Sequence, residues 1–170
     1  MRKFIVLSAA AALLATAHAA EAADVSTPAG TAGTLVNVKL SESNASMDMS
    51  LNMGLGLGMK GDMSKAVMMI DADRFAVPAG LVTFKVTNVS TGMVHEMIVA
   101  PIANMSTPLS YNDKENRVDE EATHDLGEVS ELDPGKSGEL TIELKTGLYV
   151  LYCNLPGHYG AGMWRVIAVQ

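Results

Sequence analysis

Near its C-terminus the chain reads Tyr152-Cys153-Asn154-Leu155-Pro156-Gly157-His158-Tyr159-Gly160-Ala161-Gly162-Met163. A thiol, an imidazole and a thioether thus fall within eleven residues. A Pro-Gly turn separates the Cys from the His, and a Gly-rich turn separates the His from the Met, so one loop can aim all three donors at one point. Two imidazoles and a thiolate in a trigonal plane, with a weak axial thioether, suit a copper ion that cycles between Cu(I) and Cu(II). The second imidazole must come from elsewhere. His95, inside the strand-like stretch Met93 to Ala100, is the best candidate. His124 lies in an acidic polar stretch and reads as a surface residue.

Taken singly, a free Cys is usually a small buried hydrophobe, and a Met on an apolar strand is usually core packing. Jointly these residues are hard to dismiss. Cys153 is the sole Cys, so no disulfide forms within the chain. An exported protein has little use for an unpaired thiol unless a metal or chemistry holds it. Zinc is possible on ligand type, but Met is a poor zinc ligand. Multicopper enzymes are disfavoured, because their further centres need His-x-His pairs and this chain has none. No Ser/His/Asp or paired-carboxylate arrangement emerges from the spacing either. The chain reads as an electron carrier, not an enzyme.

The elements that must position these donors read as strands. In Leu81 to Thr87, Val82, Phe84 and Val86 alternate with Thr83, Lys85 and Thr87, the pattern of a half-buried strand. Gly138 to Leu144 repeats it with Leu140, Ile142 and Leu144 inward. Leu35 to Leu40, Lys65 to Ile70, Val94 to Ala100, Leu148 to Cys153 and Trp164 to Val169 are further short runs rich in Val and Ile. Turn signals such as Val77-Pro78-Ala79-Gly80 and Leu132-Asp133-Pro134-Gly135 separate them. Short strands with no long helical period predict an all-β sandwich or barrel. Residues 102–121 are the exception, a polar, irregular connection with room for a helical turn or two.

Arg2 and Lys3 precede the uncharged apolar run Phe4 to Ala15, and Ala17-His18-Ala19 supplies small residues for cleavage. That pattern predicts a secretory signal peptide over residues 1–19, with Ala22 as an alternative cleavage point. The run is too short to span a bilayer, which takes ~20 residues. Residues 20–33 read as a flexible leader. The short, Ala-rich signal suggests a periplasmic destination.

The 170 residues carry a formal charge of −7, or −9 once residues 1–19 are gone. That sign argues against nucleic acid and against an anionic membrane surface, both of which need a basic patch. A hydrophobic share of 48% is too high for a disordered chain. The expected state is a monomer that meets its redox partners transiently. Within residues 41–64, Met47, Met49, Met53, Met59 and Met63 interleave with glycines. Those thioethers could offer a soft surface to Cu(I), or simply cover apolar surface from a loop. The first option keeps open a second function, a periplasmic copper carrier or sequestering protein.

Cys-x4-His-x4-Met with Pro-Gly before the His resembles the cupredoxins, the type 1 blue copper proteins. The tail from Tyr149 to Val169 is most similar to the rusticyanin and auracyanin branches, and Cys-x-x-Pro-Gly-His is also like azurin. The resemblance implies a Greek-key β-sandwich over roughly residues 34–170, holding one copper at one end. It carries His95, Cys153, His158 and Met163 over as ligands. It also implies that His158 presents its ring edge to the partner, with Gly157, Gly160, Ala161 and Gly162 leaving a flat apolar patch around it. In many cupredoxins an Asn or Ser follows the first His, whereas here that position is Glu96.

Overall fold

The computed structural model describes residues 33–43 and 52–170. The signal peptide expected over 1–19 and, apart from Gly33, the leader expected over 20–33 fall outside these residues. So do Met47 and Met49 of the Met-rich segment.

Two sheets carry the fold. The first has the order β2 (Met68–Ala72), β1 (Thr34–Glu42), β4 (Gly80–Asn88), β9 (Ser137–Leu144). The second runs β3 (Ala76–Val77), β11 (Trp164–Val169), β10 (Gly147–Tyr152), β5 (His95–Ile102), β8 (Glu128–Leu132). Both are mixed, since β1 runs parallel to β4 and β3 parallel to β11 while the other pairs are antiparallel. Val36, Val38 and Leu40 of β1 and Val82, Phe84 and Val86 of β4 face Met97 and Val99 of β5 and Leu151 of β10 across one core. The all-β sandwich expected from the alternation is therefore what forms.

Strands β5 and β10 are apolar on both faces for a reason. Their other face, with Ile98, Ala100, Val150 and Tyr152, lies under a second cluster that includes Leu57, Val118 and Tyr159. A strand buried on both faces reads as a continuous apolar run. That is how the stretches ending at Ala100 and Cys153 read.

Several elements differ from expectation. Residues 63–65 form a 3-10 turn, capped by the Asp62 carboxylate accepting from the Ser64 N–H at 3.0 Å, so β2 begins only at Met68. Strand β8 is an edge strand whose Glu128, Ser130 and Glu131 face out, and no apolar run advertises it. The connection over 102–121 is more ordered than expected. It contains a two-stranded ribbon, β6 (Tyr111–Asn112) with β7 (Arg117–Val118). The expected helical turn follows as α1 (Glu120–Thr123), capped by Asp119.

Residues 52–66 are not a detached loop. Leu55 and Leu57 are fully buried, and the Leu55 N–H donates to the Gly160 carbonyl at 3.0 Å. The Trp164 Nε1–H donates to the Leu55 carbonyl at 2.6 Å. This segment lies across the C-terminal loop.

Candidate metal centre

The inward phase of three strands ends in polar residues at one end of the sandwich. In β1 the inward series Val36, Val38, Leu40 continues to Glu42; in β4 the series Val82, Phe84, Val86 continues to Asn88. In β5 it begins with His95 and runs on to Met97 and Val99. The β1–β4 register sets Leu40 beside Asn88, which brings the polar ends together. Here the core stops being hydrocarbon.

The C-terminal loop meets that end. The Cys153 N–H donates to the Met163 carbonyl at 3.1 Å, and the Met163 N–H donates to the His158 carbonyl at 3.0 Å. The loop thus closes on itself through the backbone of its three donor residues. Gly162 ends the 3-10 turn Tyr159–Ala161 with φ +99°, where a side chain would be strained, and an added Cβ would lie 2.7 Å from that of Ala66. Asn154, beside the Cys, anchors the loop to β7. Its Oδ1 accepts from the Val118 N–H at 2.6 Å, and its Nδ2 donates to the Val118 carbonyl at 2.9 Å and to Glu120 at 2.7 Å.

Three expected donors come together. His95 Nδ1 lies 3.2 Å from His158 Nδ1, which lies 3.3 Å from Cys153 Sγ. One ligand atom from each of the three falls within 4.8 Å of the others. Met163 is fully buried in the same core cluster as Cys153. His124 is exposed on a left-handed residue after α1 and is not among the three.

The donor chemistry fits a soft cation. Glu42 Oε2 lies 3.0 Å from His95 Nε2, which makes Nε2 the protonated nitrogen and leaves Nδ1 as a free lone pair. Burial pushes His158 down to about 4, with neighbouring His95 adding to the shift. Burial also lowers His95, despite the opposing pull of Glu42. Both shifts favour the neutral imidazoles. Burial pushes the Cys153 thiol up to about 12. A thiol, two neutral imidazoles and a thioether, all shielded from water, are the ligand types that select copper among the common metals.

Polar groups around the donors hold them in place. The Glu96 N–H reaches Cys153 Sγ at 3.5 Å, so the backbone supplies a hydrogen bond to the sulfur. The Glu96 carboxylate accepts from the Asn154 N–H at 2.8 Å and ties β5 to the ligand loop. Burial is the main cause that lifts Glu96 to about 6; the nearby carboxylates of Glu128, Glu120 and Glu131 add to it, against the Asn154 hydrogen bond. Asn88 Nδ2 donates to the carbonyls of Met93 at 2.8 Å and Leu132 at 2.7 Å, fixing the turn that leads into His95. Sequence reasoning did not find Glu42, Asn88 or Asn154 as supporting groups. The available signal was a polar residue continuing the inward phase of an apolar strand.

The expected flat patch of glycines is not at the surface. Gly160, Ala161 and Gly162 are buried beneath residues 52–66, and an added Cβ on Gly56 would collide with the Tyr159 ring. His95, Cys153 and Met163 have no solvent contact, and His158 is 5% exposed. Half-buried apolar side chains packed on the same core include Met53, Met93 and Leu155.

The family described as copper binding proteins, plastocyanin/azurin family, matches the chain over residues 57–170. No curated protein matches it. Among solved structures, the azurin Az-iso2 of Methylomonas sp. strain J aligns with TM-score 0.51 at 16% identity, covering 82% of this chain and 99% of its own. The reduced auracyanin of Roseiflexus castenholzii aligns with TM-score 0.49 at 21% identity, covering 83% and 99% respectively. Rusticyanin from Thiobacillus ferrooxidans aligns with TM-score 0.49 at 15% identity, covering 81% and 79%. The azurin likeness is one of fold.

Proposed function

Because the chain belongs to the plastocyanin/azurin family of copper-binding proteins, we propose that it is a type 1 blue copper protein that shuttles single electrons between redox partners and catalyses no reaction. The convergence of His95, Cys153 and His158 within 4.8 Å, buried at the polar end of the sandwich, carries this reading. His95 and His158 would hold the metal through Nδ1, Cys153 through its thiolate, and Met163 through its thioether. Copper, when bound, supplies the one-electron couple between Cu(I) and Cu(II).

The chain's own part is rigidity and access. His95 is fixed from a strand, and the other three donors from a loop tied to itself, to β7 and to residues 52–66. Such a site resists rearrangement when its charge changes. His158 is the donor with solvent contact, so its ring edge is the natural entry for an electron. Residues 1–19 support export to the periplasm, where donor and acceptor would meet the protein transiently as a monomer. No helix among the described residues is long and apolar enough to cross a membrane.

Copper delivery through the Met-rich segment has less support. Met53 and Met59 pack against the two core clusters, as covering side chains do, while Met63 is about half exposed. A Cu(I) titration against a competing chelator, paired with repeated oxidation and reduction, separates the two functions. One tightly held equivalent that cycles without loss supports electron transfer. Several Cu(I) equivalents, readily released, would overturn it.

A further inference from the structure

Glu42 is an anomaly that copper binding by itself does not require. It ends the inward face of β1, its side chain is 3% exposed, and both its oxygens are engaged. Oε2 lies 3.0 Å from His95 Nε2, and Oε1 accepts from the Ser90 hydroxyl at 2.7 Å. The Ser90 oxygen in turn accepts from the N–H groups of Gly92 at 3.1 Å and Met93 at 2.8 Å, so the carboxylate cannot swing away. Among the described residues no Lys or Arg forms an ion pair with Glu42. A buried carboxylate is costly unless a cation balances it. The imidazole N–H and the Ser90 hydroxyl supply that balance here, and the carboxylate's charge thereby sits one ring away from the donor atom Nδ1.

We propose that Glu42 is a positioning residue of this copper site: it fixes the ring of His95 through Nε2 and sets a buried negative charge beside the metal, biasing the site toward Cu(II). A main-chain carbonyl would orient the ring equally well but would add no charge. A carboxylate does both, because it makes the imidazole a stronger donor and favours the more highly charged ion. This inference rests on the copper reading above.

The test is Glu42→Gln, whose amide oxygen can still accept from Nε2–H while the charge is gone. Cu(II) and Cu(I) affinities are measured by chelator competition, and the midpoint potential by redox titration. Groups that support metal-bound His typically contribute 10–100-fold in affinity. The expected result is a loss of at least about tenfold for Cu(II) and a smaller loss for Cu(I). Each tenfold difference raises the potential by about 59 mV. Equal losses, or an unchanged or lowered potential, would overturn the proposal.

A second measurement needs neither metal nor a variant. In the copper-free wild-type protein, nitrogen-15 NMR should find His95 protonated on Nε2, with a slowly exchanging proton. Protonation on Nδ1 would overturn the proposal. If the wild type fails to give a coloured copper form, the copper reading falls, whereas this NMR result still reports the Glu42–His95 contact. Should Glu42→Gln not fold, Glu42→Asp withdraws the carboxylate from Nε2 by one methylene and should raise the potential by a smaller amount; no rise would overturn the role.

Discussion

Asn88→Ala removes the bridge that holds the β4–β5 turn in front of His95. Asn88 is fully buried, and three hydrogen bonds disappear with its amide. These are the donations to the Met93 and Leu132 carbonyls at 2.8 and 2.7 Å, and the acceptance from the Ser90 N–H at 2.9 Å. At a net value of about 1 kcal/mol each they contribute roughly 3 kcal/mol. Stranded buried groups would raise that figure, and water reaching the half-buried carbonyls would lower it, so the expected loss is about 2–4 kcal/mol. For a domain of this size about 1 kcal/mol moves the midpoint by roughly 2–4 °C, so Tm should fall by roughly 5–15 °C. The assay is thermal and urea unfolding of the copper-free protein, because bound metal would add its own stabilisation. Asn88→Asp sharpens it: the carboxylate keeps the acceptor for Ser90 but faces two carbonyls with no donor, so it should cost at least as much as Ala. A loss under about 0.5 kcal/mol for Ala, or a stable Asp variant, would refute the bridge.

Three further outcomes are expected. Met163→Gln should keep the copper but lower its potential, because an amide oxygen favours Cu(II) relative to a thioether; redox titration reads this, and an unchanged or raised potential removes Met163 from the axial role. Leu57→Ala empties a fully buried position in the cluster over β5 and β10, and should cost about 2–5 kcal/mol in urea unfolding; a loss below about 1 kcal/mol would mean that the covering segment is not part of the core. Cys153 has no solvent contact and burial pushes its thiol up to about 12, so the folded copper-free protein should react with a thiol reagent far more slowly at neutral pH than the unfolded chain. Equal rates would show that the site is open.

What could be read from the sequence depended on how local the information was. Strands β4 and β9 alternate cleanly because each has one face in the core, and β5 and β10 read as unbroken apolar runs because both of their faces are covered. Edge strand β8 and the ribbon β6–β7 escaped notice, since polar residues on solvated faces leave no periodicity. The three donors Cys153, His158 and Met163 were legible because one loop carries them. Glu42 was not, although it stands in phase with Val36, Val38 and Leu40: only the approach of β1 to the β4–β5 turn and β5 makes that carboxylate a neighbour of His95. The segment over residues 41–64 read as loop or cover because of its Met and Gly content. It also contains Leu55 and Leu57, which are core, and Glu42 itself. Deleting it whole would remove a support of the site along with the thioethers.

The absorption spectrum of the copper-loaded protein during a reductive titration, run beside Cys153→Ser, tests the central claim most directly. The account predicts an intense thiolate-to-copper band at one copper per chain, bleached by one electron per copper and restored on reoxidation. In Cys153→Ser that band should be absent, because a hydroxyl is neither soft nor anionic near neutral pH. A colourless Cu(II) form of the wild type, or a band that persists without Cys153, would contradict it.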